Sequence, residues 1–305
     1  MFLFDESYRL KNFGYYVLGS FILILFSTIG QIPLLFFLPS ELPAPDASAM
    51  DLFKDIPSNL RLFLLLMSFV FVVPAIWLVV KKLHDLPIMS ILSSRKKIDL
   101  QRVLYSFMIW AAVVTSFVLM EYFISPENYQ VNFNFNQFIV LAIIAILLIP
   151  IQTSVEEIVF RGYLMQGFGN WFNSKLMALL LTSIVFGSMH LANPEIGALG
   201  YEFIVFYIAI GLVLGIMTLM DEGIELALGF HAANNLCVAL LVTSDWTAFQ
   251  TESILIDISE PKLTLLSWIM PFVVYPILLK LFAKKYSWTD WKGKLFSKSI
   301  LPNLC

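Results

Sequence analysis

Eight stretches of this chain are apolar over close to the roughly 20 residues that carry a helix across a bilayer core. They fall at about 14–39, 60–80, 103–124, 137–156, 176–192, 203–220, 226–243 and 264–283. In hydrocarbon every backbone N–H and C=O must find a partner inside the protein, which restricts spanning segments to helices and closed barrels. Continuous apolar runs of this length therefore predict an all-α fold, a polytopic membrane bundle of about eight transmembrane helices. Composition points the same way, with 59% hydrophobic residues, 13% charged residues and a mean hydropathy of +0.82. A soluble domain carries roughly a quarter charged residues. The bilayer is the expected surrounding, and no nucleic-acid partner is expected.

The cationic residues orient the bundle. With the N-terminus in the cytoplasm, that side receives Arg9, Lys11, Lys81, Lys82, Arg95, Lys96, Lys97, Arg102, Lys175, Lys280, Lys284, Lys285, Lys292, Lys294 and Lys298. Only Lys54, Arg61 and Lys262 face outward. The positive-inside rule then predicts a multi-pass protein of the cell membrane with both termini cytoplasmic. The turn carrying Asp221, Glu222 and Glu225 gives this no support, because it belongs inside yet has no Lys or Arg. The first apolar stretch is too long for a signal-peptide core and reads as a retained signal anchor. Cys237 and Cys305 suggest neither a disulfide framework nor a cysteine metal site.

Three regions follow: N-terminal spans over 1–136 with a basic loop at 81–102, a core over 137–242, and an outer loop, last span and basic tail over 243–305. The basic loop reads either as an interfacial segment against anionic headgroups or as an ordinary cytoplasmic loop. The tail with Trp288 and Trp291 resembles an interface anchor. Pro150 sits inside the fourth stretch, where it removes a helical hydrogen bond and favours a kink. That helix is expected to end near Gly167 or Gly169, with Asn173 or Ser174 capping the next. Gly211 and Gly215 form a small-xxx-small pair, expected to let helices approach closely.

Against this background a few polar residues stand out: Glu156, Glu157 and Arg161, then His190, then His231 and Asn235. Ionisable groups at membrane depth are costly and mark a site by default. Residues four apart share a helix face, so Glu157 can pair with Arg161 while Glu156 points about 100° away. A carboxylate without a cation in apolar surroundings is suited to general-base work near neutral pH. With a turn near residue 173, Glu156 lies 17 residues before it and His190 17 after it, so an antiparallel hairpin brings acid and imidazole to one height. His231 and Asn235 share a face and can donate two hydrogen bonds to a developing oxyanion, or one can hold a ligand while the other orients it. The competing reading is a polar pair joining helices, and neighbouring Asn234 suggests that this stretch takes amides for other reasons. One difficulty is depth. His231 lies about six residues past the 221–225 turn, which places it nearer that end than Glu156 unless the hairpin around residue 170 projects from the membrane or the helices are broken or tilted.

Glu156-Glu157-Ile158-Val159-Phe160-Arg161, Phe186 to His190, and His231 to Asn235, in that order within hydrophobic segments, resemble the motifs of the CPBP intramembrane protease family, also called the Abi or CAAX-protease family. The resemblance covers about 137–242. It implies an endopeptidase acting on a peptide or lipidated-protein substrate, in some members a prenylated tail cut after its lipidated Cys. By position, Glu156 would activate water with help from His190, His231 and Asn235 would hold the carbonyl oxygen, and Glu157 with Arg161 would be a structural pair. Glu156, His190 and His231 could also serve as three ligands of a catalytic zinc. A metal-free glutamate mechanism is preferred over that alternative. Two rival functions remain: an ion-coupled transporter, and a non-catalytic immunity or scaffold member of the same fold.

Overall fold

The computed structural model describes residues 12–37, 53, 55–265 and 267–298. Expectations resting on Arg9, Lys11, Lys54 and Cys305 lie outside the described residues. Helix α1 is Phe13–Leu35 and α2 is Ser58–Leu78, continued by a π-helical turn at Val79–Leu83. A 3-10 turn at Ile88–Ile91 leads to α3, Leu100–Ile124. Helix α4, Phe135–Glu157, passes through Pro150 and runs without a break into a π-helical segment, Ile158–Leu164, and then α5, Met165–Phe172. The chain continues as α6 (Lys175–Ser188), the short α7 (Pro194–Leu199), α8 (Ile204–Asp221), α9 (Glu225–Leu241), α10 (Tyr275–Lys285) and α11 (Trp291–Phe296). Three short strands, β1 (Tyr129–Val131), β2 (Val242–Thr243) and β3 (Leu255–Asp257), form a sheet in the order β1-β3-β2. That sheet folds part of the predicted polar loop at 244–263 back onto the bundle.

The protein is an all-α polytopic membrane bundle, as its apolar stretches require. Length does not give eight full spans, however. Among the described residues five helices are long and apolar enough to cross a membrane: Phe13–Leu35, Ser58–Leu83, Leu100–Ile124, Phe135–Phe172 and Tyr201–Asp221. Helices α6 and α9 have 14 and 17 residues, only about 21 and 26 Å at roughly 1.5 Å per residue. The last stretch breaks into a π-helical turn, Met270–Val274, before α10.

Helix α9 is apolar nearly all round because it packs against α3, α4 and α8 at once. Its contact with α3 is close at Gly229, where a Cβ atom would collide with the Val103 carbonyl and the Phe107 amide. Ser106 Oγ donates to Leu226 O at 2.7 Å just above that crossing. Helices α8 and α6 approach in the same way, since a side chain at Gly211 would strike the Ser183 backbone and one at Gly215 the Leu179 side chain. The small-residue pair is a packing device, as expected.

The acidic turn after α8 has its cations after all, supplied from elsewhere in the sequence. Arg95 contacts Asp221 at 3.0 Å and Glu225 at 3.2 Å, Arg102 pairs with Asp221, and Lys294 reaches Glu222 at 3.2 Å. Two cations of the 81–102 loop, Arg95 and Arg102, are therefore bound to the protein's own carboxylates. The described part of the C-terminal tail is likewise folded onto the bundle. Trp288 is buried and donates to Asp221 at 3.1 Å, Lys175 donates to Gly293 O at 3.1 Å, and α11 lies on α6 and α8.

Gly229→Ala tests the α3–α9 crossing. Alanine is intrinsically the better helix former by about 1 kcal/mol, yet the added methyl meets backbone, which cannot swing aside. Overpacking of this kind costs about 1–3 kcal/mol, so the variant should unfold several degrees below wild type in a detergent melt. An unchanged or raised melting temperature would show that the crossing is looser than described.

Candidate active site

The site forms where α9 passes the junction of α4 with its π-helical extension. Four consecutive residues of the π-helical segment, Phe160 to Tyr163, are buried, because it is packed on several sides, by α6, α8 and the Ile88–Ile91 turn. Arg161 turns inward toward α8 and α9. Tyr163 turns toward α1, where its hydroxyl lies 2.9 Å from His84 Nε2. Gly162 lets the Ile88–Ile91 turn come into contact, since a Cβ there would strike the Ile91 carbonyl. Helix α5 ends at Asn173 in the left-handed conformation, a few residues later than expected, and Ser174 caps α6 by accepting from Met177 N.

Glu157 and Arg161 are fully buried and pair at 2.9 Å across one turn. Arg161 also donates to Gly211 O at 3.3 Å, and its guanidinium lies 4.4 Å from the centre of the Phe186 ring. The same Glu157 oxygen that takes Arg161 lies 2.7 Å from His231 Nδ1. The expected structural pair is thus a trio, and its third member is one of the candidate oxyanion donors. A neutral His231 whose Nδ1–H donates to Glu157 carries a lone pair at Nε2. An imidazolium donates from both nitrogens.

Glu156 points away from this pair, as the 100° helical step demands. Its Oε1 accepts from Gln152 Nε2 at 2.6 Å. Its Oε2 is buried, makes no hydrogen bond among the described residues, and stands 3.5 Å from His231 Nε2. His190 follows the C-terminal end of α6, where Nδ1 lies 2.8 Å from Phe186 O. A carbonyl can only accept, so Nδ1 carries the proton and Nε2 the lone pair of the neutral ring. The ring is stacked on Tyr207 at 4.1 Å, and Glu156, His231 and Arg161 act on it electrostatically. Asn235 donates to Gln152 Oε1 at 3.1 Å. All six residues singled out in the sequence therefore lie in one polar cluster.

Whatever the depth of either residue, the packing brings them side by side, with His231 Nε2 3.5 Å from Glu156 Oε2. The continuous helix Phe135–Phe172 has 38 residues, about 57 Å at roughly 1.5 Å per residue, against a hydrocarbon core of about 30 Å. Gln152 was missed because a glutamine four residues before an acid is unremarkable in sequence. Its contact to Asn235 exists only through the α4–α9 packing.

Among the described residues no three His, Cys, Asp or Glu side chains are gathered as a metal-holding set. Glu156, His190 and His231 each use one polar atom for a protein contact, Oε1 and the two Nδ1 atoms, so each is oriented by the protein.

A buried carboxylate, two imidazoles and a carboxamide thus lie among the helices of a polytopic membrane bundle. Residues 134–237 match the family described as type II CAAX prenyl endopeptidase Rce1-like. An uncharacterised protein of Bacillus subtilis (strain 168), YyaK, is 30% identical over 235 residues, covering 75% of this chain and 77% of the relative. No solved structure matches. The chain belongs to the Rce1-like CAAX-protease family.

Arg161→Met should cost on the order of 3–5 kcal/mol of stability, because it leaves Glu157 charged, buried and short of its cation. Arg161→Lys should recover only part of this, since a single ammonium cannot span Glu157 and Gly211 as the guanidinium fork does. Denaturant unfolding of both variants in mixed micelles checks the order. Equal stability of wild type and Arg161→Met would show that the pair is not what holds the junction.

Proposed function

We propose that this protein is an intramembrane endopeptidase of the CAAX-protease type, hydrolysing a peptide bond in a membrane-associated or lipidated substrate with water activated by Glu156 and His190. The observation that carries the reading is Glu156 itself. One oxygen is fixed by Gln152 and the other is buried with a free lone pair beside the imidazoles. A general base needs that combination of held orientation and an open acceptor.

In the proposed cycle Glu156 Oε2 takes a proton from water while His190 Nε2 accepts the second water hydrogen and aligns the oxygen. The hydroxide adds to the scissile carbonyl, and its oxyanion is held by Asn235 and by His231 in its imidazolium form, through Nε2–H. Glu156 then returns its proton to the leaving amine as the carbonyl re-forms. Glu157, shared by Arg161 and His231, holds the His231 ring and balances its charge. We place this core at 137–242 and both termini in the cytoplasm, on the uneven distribution of Lys and Arg.

The test is hydrolysis of an internally quenched farnesylated CAAX peptide and an unlipidated transmembrane peptide by protein in nanodiscs. Glu156→Gln and His190→Ala should each lower the rate by about 10³-fold, in the range for loss of a positioned proton-transfer group. A chelator should leave the wild-type rate unchanged, whereas loss on chelation with recovery on adding zinc would replace the metal-free mechanism. Solute uptake that depends on Glu156, without peptide cleavage, would sink the protease reading in favour of transport.

A further inference from the structure

Four hydrogen bonds join α3, α9 and α4 in a single direction. Trp110 Nε1 donates to Asn234 Oδ1 at 3.1 Å, and Asn234 Nδ2 donates to Asn235 Oδ1 at 3.2 Å. Asn235 Nδ2 donates to Gln152 Oε1 at 3.1 Å, and Gln152 Nε2 donates to Glu156 Oε1 at 2.6 Å. The two ends set the sense of the chain. An indole N–H can only donate and an ionised carboxylate can only accept. Reversing any one of the three carboxamides between them would set donor against donor or acceptor against acceptor at both of its neighbours. The orientation of each amide, ordinarily ambiguous, is therefore determined by Trp110 and Glu156 together.

Trp110 is well placed to be the fixed end. It is buried, stacks on Phe230 at 4.2 Å, and sits on the helix that Gly229 and Ser106 lock against α9. The consequence falls on Asn235. Its carbonyl oxygen is occupied by Asn234 and one of its N–H groups by Gln152, so the group left for a substrate is the second N–H. That is a donor, as a developing oxyanion requires. With its amide turned over, Asn235 would present a carbonyl to the same place and repel the oxyanion.

We infer that Trp110, Asn234 and Gln152 form a directed hydrogen-bond chain that positions the two proposed catalytic groups, fixing Asn235 as a donor and Glu156 as an acceptor. Their catalytic effect rests on the endopeptidase reading above, whereas the chain itself does not. Trp110→Phe keeps an aromatic ring against Phe230 and removes the N–H. Toward the quenched farnesylated peptide in nanodiscs it should lower kcat about tenfold with KM within twofold, while melting within a few degrees of wild type. Asn234→Asp keeps an acceptor for Trp110 but cannot donate to Asn235, and it should give the same split. A purely structural role would move the melting temperature and leave kcat of the folded fraction alone, so unchanged kcat in both variants overturns the proposal.

A second measurement needs no substrate. The Trp110 indole proton, followed by NMR in protein labelled with 15N-tryptophan and assigned by its loss in Trp110→Phe, should exchange at least tenfold faster in Asn234→Leu than in wild type. Equal exchange would show that the chain does not exist. If wild type cleaves no peptide while the exchange difference is found, the endopeptidase reading fails and the chain stands.

Discussion

The junction of the bundle depends on one carboxylate oxygen. Glu157 Oε1 receives the Arg161 guanidinium at 2.9 Å and lies 2.7 Å from His231 Nδ1, and Arg161 goes on to the Gly211 carbonyl. A buried charge without a partner costs several kcal/mol, so α4, its π-helical extension, α8 and α9 are held where all three groups can meet. Apolar packing alone is a poor judge of helix register, since lipid and leucine are alike to a hydrocarbon surface. The polar contact supplies what packing lacks, a unique arrangement of four segments.

That constraint explains the shapes of the helices around it. Glu156 precedes Glu157 by one residue, so fixing Glu157 against α9 turns Glu156 into the gap beside His231. Arg161 reaches inward while Tyr163, two residues on and so on the other side of the helix, lies against His84. The short α9 is also fixed at its start. Arg95 and Arg102 bind the Asp221 and Glu225 carboxylates and Ser106 holds Leu226, so the first turns of α9 are tied to the loop before α3 and to α3 itself.

The sequence revealed the cluster because charge in an apolar chain is conspicuous and helical spacing is simple to apply. The Glu157–Arg161 pair, the divergence of Glu156 and the shared face of His231 and Asn235 all follow from 3.6 residues per turn. What spacing could not show were contacts between segments distant along the chain. Glu157 meets His231 74 residues later, Gln152 meets Asn235 83 residues later, and Trp110 meets Asn234 124 residues later. The same limit concealed the cations of the 221–225 turn, which come from residues 95, 102 and 294. The number of full-length spans is not legible from hydropathy for a different reason. A helix buried among other helices is as apolar as one facing lipid, so α6 and α9, with 14 and 17 residues, read like the longer spans.

The arrangement also bears on how water chemistry can run inside such a bundle. Glu156, Glu157 and Arg161 together carry one net negative charge, and a protonated His231 between the two carboxylates would bring the group to neutrality. In the proposed cycle the oxyanion forms as Glu156 accepts a proton, so negative charge moves from the carboxylate to the substrate oxygen and the total within the site stays constant. Only its position shifts, from the acceptor end of the Trp110–Glu156 chain toward the free Asn235 N–H in the middle of it. In a medium that screens charge poorly, moving charge between groups already oriented for it needs little reorganisation. Creating charge there would be far more costly. The fixed direction of the amides is therefore as much a part of the proposed chemistry as the acid and the imidazoles.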